Sequence, residues 1–230
     1  MSLLTYLFFL LLSHAIALQS FWPQVQDAKP FSIMLDPAGD ARSTGRIIDD
    51  GYERGVTLQC AETLKKQLED RYGKQVRVVL TRFPGETLDP LQNANFANRL
   101  DVDIYVSIHF FQQSEQSSTL YMYYFLYNPI TDIWSKVHRL SCVPYDQAHV
   151  MNINKTTLWT ESFKNILKQD NYKKLFELKG PYGLPFKPLI GVRAPAIAFE
   201  IGLKNKLDWN RYTEPIMQCL SHLIQTSQAV

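Results

Sequence analysis

The chain lacks the marks of several protein classes. It carries 3 cysteines in 230 residues, an odd number that excludes a fully paired disulfide framework. Cys60, Cys142 and Cys219 also lack the close spacing of a structural zinc motif. An excess of one charge is missing too: the formal net charge is +2. No Lys/Arg run forms a phosphate-binding tract, so nucleic acid is not an expected partner. No apolar run reaches the roughly 20 residues that a membrane span needs. There is no internal repeat and no low-complexity tract. The remaining composition, 46% hydrophobic and 20% charged, is that of a soluble domain with a full core.

Basic residues are absent at the start as well; none precedes Lys29. Leu3 to Leu12 is almost wholly apolar, and Ala15-Ile16-Ala17 is a small-x-small cleavage pattern. Residues 1–17 therefore read as a secretory signal peptide, although its basic n-region is missing. A buried N-terminal helix is the alternative. The signal-peptide reading implies a secreted or periplasmic protein with no membrane anchor after cleavage. Residues 18–30 contain Pro23 and Pro30 and no period, and read as a linker. Residues 31–227 then form one domain.

Within that domain strand-like and helix-like patterns alternate. Phe31 to Leu35 is a short apolar run closed by Asp36-Pro37, hence a strand and a turn. Ala38 to Asp50 reads as a loop. Glu53 to Arg71 carries Val56, Leu58, Ala61, Leu64 and Leu68 at helical spacing, with Gly73 as a stop signal. Val76 to Leu80 is a β-branched strand, Leu91 to Leu100 a helix, and Ile104 to Ile108 the next strand. Leu120 to Tyr127 is an aromatic strand too apolar for an exposed edge. Its aromatics read as strand core rather than as a sugar-stacking platform. A polar loop is expected around Gln147 to Thr156 and a helix around Leu158 to Gln169. Ala196 to Ile201 is the last strand, and Trp209 to Ile224 the last helix. Alternation of this kind predicts a single α/β domain, with a twisted, largely parallel sheet flanked by helices. Cys60 and Cys219 fall on apolar helix faces and read as small buried hydrophobes.

Three reactive residues sit near the ends of these elements. His109 follows the strand Ile104 to Ile108; alone, it would read as a hydrogen-bonded structural histidine. Glu200 ends the apolar run Ala194 to Phe199. A carboxylate there is costly to bury unless it is paired or binds a cation. Glu53 opens a helix, where an acid also suits the helix dipole. Together they suggest a metal site with a general base. A catalytic zinc takes three protein ligands and leaves a position open for water.

In order and spacing, these stretches resemble the zinc-dependent N-acetylmuramoyl-L-alanine amidases, which cleave bacterial cell-wall peptides from their glycan. In that family a first strand ends in Asp-Pro-Gly-His-Gly-Gly, and its His binds zinc. Asp36-Pro37 matches the start of that motif. Glu53 matches the second zinc ligand, at the start of the first helix. Ser107-Ile108-His109 matches the third. Pro195 to Gly202 matches the strand whose glutamate, here Glu200, is the catalytic base. Val79-Leu80-Thr81-Arg82, Ala97, Arg99, Asp103 and Asn205 agree as well. The resemblance runs from Ile33 to about Gln225. It implies zinc as cofactor, peptidoglycan as partner, and hydrolysis of the amide between N-acetylmuramic acid and L-alanine.

One ligand departs from the pattern. The first histidine falls on Gly39, which has no side chain. Asp40 is the expected replacement, as an oxygen ligand one residue on. His138 or His149 could serve instead. The remaining alternative is a catalytically inactive, peptidoglycan-binding or regulatory pseudo-amidase. No substrate-binding residue and no oligomeric state can be assigned. Asn154-Lys155-Thr156 matches a glycosylation sequon, read as accidental in a bacterial chain.

Overall fold

The structure is a computed structural model that describes residues 29–89, 91–114, 117–127 and 144–228. The expected signal peptide, most of the expected linker, Cys142 and His138 lie outside the described residues. The main sheet has six strands: β1 (Phe31–Pro37), β4 (Val76–Leu80), β5 (Ile104–Gln112), β6 (Ser118–Phe125), β7 (Phe176–Leu184) and β8 (Ala196–Leu203). Their spatial order is β4-β1-β5-β8-β6-β7. β1 pairs in parallel with β4 and β5, and β5 in parallel with β8. β6 pairs antiparallel with β8 and parallel with β7. The sheet is thus mostly parallel, with β6 and β7 reversed. A two-residue hairpin, β2 (Ile47–Ile48) with β3 (Gly51–Tyr52), precedes the first helix.

The helices are α1 (Glu53–Tyr72), α2 (Gln92–Leu100), α3 (Ile153–Leu167), the single turn α4 (Asp170–Lys173) and α5 (Asn210–Gln228). α1 buries Val56, Cys60, Ala61, Leu64 and Leu68, the one-sided spacing of a helix lying on a sheet. Strand residues alternate between the two faces. Ile33 and Leu35 of β1, Val106 and Ile108 of β5, and Phe199 of β8 pack in the core shared with α1, α3 and α5. Met34, Tyr105, Ala196 and Ala198 pack in a second core with Ala94 and Ala97 of α2. The same period sends Asp36, Ser107, His109 and Glu200 to the α2 side. Asp36 lies at the end of β1, and His109 and Glu200 lie in the carboxyl-terminal halves of β5 and β8, the side on which open α/β sheets place their ligand sites.

Two segments differ from the sequence expectation. Gln147 to Thr156 is not a loop. Tyr145–Asn152 forms a 3-10 stretch and α3 begins at Ile153. Ala148, His149 and Thr156 are buried there. The Thr156 hydroxyl donates to the Asn152 carbonyl at 2.9 Å, so a polar residue satisfies itself inside the helix. β7 was not anticipated, because Lys179-Gly180-Pro181 interrupts any strand pattern. It is an edge strand, where Lys, Gly and Pro are tolerated.

Candidate active site

The site is built from neighbouring strands: β5 runs on past Ile108 to Gln112, so His109 lies within it and not after it. His109 on β5 and Glu200 on β8 are register partners, so their side chains leave the same face side by side. Both are largely buried, with side-chain exposures of 15% and 14%. Tyr123 of β6 donates its hydroxyl to Glu200 Oε2 at 3.0 Å. Its own pKa is raised, by burial first and then by the charge of Glu200. Glu200 Oε1 is paired with the guanidinium of Arg46, from the loop after β1.

Glu53 reaches the same place from the start of α1. Its Oε1 lies 3.4 Å from His109 Nδ1 and accepts the Phe110 N–H at 3.1 Å. Its Oε2 accepts the Arg46 N–H at 3.1 Å. Burial pushes the Glu53 pKa up, but the His109 contact and the two backbone N–H groups outweigh it and hold the carboxyl below its ordinary value.

On the other side, His109 Nε2 lies 3.0 Å from Ser107 Oγ, which donates to Asp36 Oδ2 at 2.8 Å. Asp36 is itself held by the Thr81 hydroxyl and the Asn93 amide, both at 2.8 Å. The Asp36–Ser107 pair thus orients the imidazole from behind. A cavity of about 320 Å³ opens next to His109, lined in part by Asp36, Gly39, Asn93, Lys187 and Ile190.

The structure brings Glu53, His109 and Glu200 together; Asp40 lines the cavity beside His109, but its carboxylate is engaged by backbone N–H groups. The Asp40 carboxylate accepts the N–H groups of Arg42 at 2.8 Å, of Leu88 at 2.9 Å and of Ser43. Burial opposes its ionisation, yet these bonds and the charge of Arg42 hold its pKa below the usual value. The residue closes the loop that contains it. His149 packs edge-on against Phe125, its pKa lowered by burial.

Gly39, the position without a ligand, also rejects one. Its φ is +78°, and a Cβ there would stand 2.9 Å from Arg54 Cβ and 3.1 Å from the Ser43 carbonyl oxygen. A left-handed backbone in contact with helix α1 is a place for glycine. The sequence singled out neither Arg46 nor Tyr123. Arg46 sits in a polar loop with no period, and Tyr123 in a run of aromatics that reads as core.

This combination of sheet order, strand-end acid and histidine can be compared with known proteins. Residues 33–225 match the model of the N-acetylmuramoyl-L-alanine amidase family. The chain belongs to that family. Among curated proteins, N-acetylmuramoyl-L-alanine amidase CwlM of Bacillus licheniformis is 34% identical over 77 residues, which is 34% of this chain. The match spans 30% of that relative's length. The catalytic domain of CwlV, from Bacillus (Paenibacillus) polymyxa var. colistinus, superposes with a TM-score of 0.54 at 18% identity, over 84% of this chain and 98% of that one. Ami1 of Mycobacterium smegmatis superposes with a TM-score of 0.58 at 14% identity, over 85% and 97%. At these identities the structures establish the shared α/β fold.

The family implies zinc, and the residues present fall one donor short. The 3.4 Å between His109 Nδ1 and Glu53 Oε1 is the separation of two ligands that each stand about 2.0–2.2 Å from one tetrahedral ion. Gly39 offers no third donor, and Asp40 is spent on its own loop. Among the described residues, no group of three His, Cys, Asp or Glu side chains is placed to hold a metal ion.

Proposed function

We propose that this chain hydrolyses the amide between N-acetylmuramic acid and L-alanine in peptidoglycan. Family membership supports the reaction class. The observation that carries it to these residues is the Glu200 carboxylate, held by Tyr123 and Arg46 beside His109 at the carboxyl edge of the sheet. Glu200 is the general base. It takes a proton from water, whose oxygen bonds to the lactyl carbonyl carbon. The carbon–nitrogen bond then breaks, and Glu200 returns the proton to the leaving L-alanine amine. The products are a carboxylic acid on the glycan and a free stem peptide. His109 has both ring nitrogens engaged, by Glu53 and by the Ser107–Asp36 pair, and walls the site beside Glu200. The donor set for zinc is incomplete, so no step here runs through a metal.

Such a substrate lies outside the cytoplasm, which agrees with a secreted or periplasmic location. Among the described residues, no helix is long and apolar enough to cross a membrane. The missing donor favours one second reading, a domain that binds peptidoglycan without turnover; the comparisons give it no support.

The test uses purified protein and intact sacculi. The wild type should release stem peptides with free L-alanine amines, read by mass spectrometry. Glu200→Gln should lose release by roughly 10²–10⁴-fold while still sedimenting with sacculi. A folded wild type that binds sacculi and releases nothing would establish the second reading.

A further inference from the structure

We propose that Arg46 is the fixed positive charge of this centre, taking the part that the family's metal would play. The role toward substrate rests on the amide-hydrolysis reading; the charge balance does not.

The loop is shaped to put residue 46 there. Its backbone is clamped to Glu53 in both directions: the Arg46 N–H donates to Glu53 Oε2 at 3.1 Å, and the Arg46 carbonyl accepts the Glu53 N–H at 2.8 Å. So close an approach depends on Gly45, where φ is +77° and a Cβ would stand 2.7 Å from Glu53 Oε2. From this clamped backbone the guanidinium runs to Glu200 Oε1 and lies over the Phe111 ring, 5.6 Å from its centroid. Ion pair and ring together fix its direction.

Glu53, at the start of α1, and Glu200, on β8, are two nearly buried carboxylates, and burying charge without a counter-charge is costly. Among the described residues, Arg46, on Glu200, is the only Lys or Arg in ion-pair contact with either, and His109 stands 3.4 Å from Glu53. A divalent ion added beside this guanidinium would meet like charge at short range, in a site already one donor short. Sequence and geometry thus agree: where a donor was lost, a cation from the same loop stands opposite the base.

A guanidinium has five N–H groups in a rigid fork. One holds Glu200. The side chain is half exposed, and its remaining N–H groups are the donors offered to the carbonyl oxygen, which turns into an oxyanion as the water oxygen bonds to carbon. Donors preorganised at that position stabilise the developing charge. No electron or atom beyond water and the amide is needed.

The experiment measures zinc on the full purified chain, by equilibration with zinc chloride, gel filtration and elemental analysis, with titration calorimetry for affinity. The wild type should hold no stoichiometric zinc. Arg46→Lys, which keeps the charge, should resemble it. Arg46→Gln, which keeps the bulk and loses the charge, should bind zinc at least about tenfold tighter, because the two carboxylates then lack their fixed counter-charge. Circular dichroism checks that each variant is folded, and the wild-type measurement stands without any variant. One zinc per wild-type chain overturns the proposal, as does an Arg46→Gln protein with unchanged zinc affinity. Peptide release should resist chelators and fall roughly 10²–10³-fold in Arg46→Gln; release by the wild type that chelators abolish overturns the proposal too. A wild type that binds no zinc and releases nothing supports the charge balance and overturns the amide-hydrolysis reading instead.

Discussion

At the scale of single residues, the site is a set of carboxylates with unequal environments. Glu53 contributes to acid sensitivity. Its pKa is held below 4.5, so its unfolded form binds a proton before its folded form does. Stability from this group is present above about pH 4.5 and is lost as the pH falls through the lower, folded value. Thermal unfolding of the wild type should therefore drop steeply on the acid side. Glu53→Gln should start lower and show a shallower acid limb; an unchanged limb would assign the acid sensitivity elsewhere, to Asp40 first. The exposed pairs Asp50–Lys206 and Asp170–Lys173 shift in the same direction but are screened by solvent. Glu53, His109 and Glu200 were legible because each follows a pattern: a helix start, a strand end, a buried acid. For Asp40, the sequence shows that the residue can donate to a metal, and not that three backbone N–H groups already hold its carboxylate. Arg46 was invisible because its importance comes from Gly45 and a hairpin register, which no local pattern announces.

At the scale of elements, one buried guanidinium joins the parts that carry the site. Arg82, after β4, donates to the carbonyls of Pro37 at 3.0 Å, Ala38 at 3.1 Å and Arg54 at 2.8 Å. The end of β1 and the first turn of α1 are thereby tied to one side chain. It is 3% exposed, and burial lowers its pKa against the opposing pull of Asp36 and Asp40. Replacing it with Met would leave three carbonyls without their donor. The expected loss is about 3 kcal/mol, given that hydrogen bonds to a charged group contribute roughly 1.5–3 kcal/mol each and do not add fully. For a chain of this length that is a fall of about 6–12 °C in Tm, read by calorimetry. A fall of under about 2 °C would mean that water replaces the guanidinium there. Arg82 was visible in the sequence as part of a resemblance, yet its work as a staple was not. The elements around it were read well where periodicity is strong: Val76–Leu80 is a strand as expected, and α1 exceeds its expected end by one residue, at Tyr72. β7 failed because an edge strand is released from the very pattern that reveals an interior one.

At the scale of the whole molecule, alternating strands and helices were enough to foresee one α/β layer structure. The reversal of β6 and β7 was not foreseeable, because direction depends on which edge a chain returns to, and the connection runs partly outside the described residues. What the fold does specify is a shared core. Cys60 on α1 and Cys219 on α5 are both fully buried in the core that α1, α3 and α5 form on one sheet face. Burial pushes both thiols well above their ordinary range, so neither is a nucleophile in the folded state. Substituting Ser for Cys142 leaves these two as the only thiols in the chain. If the domain opens as one cooperative unit, an aromatic disulfide reagent should reach both at the same slow rate, and denaturant should accelerate both equally. Peptide mapping after timed quenching separates the two. Faster labelling of Cys219 would show that α5 opens on its own and leaves α1, β5 and β8, which hold Glu53, His109 and Glu200, intact. Equal rates would tie the integrity of the site to the stability of the entire sheet.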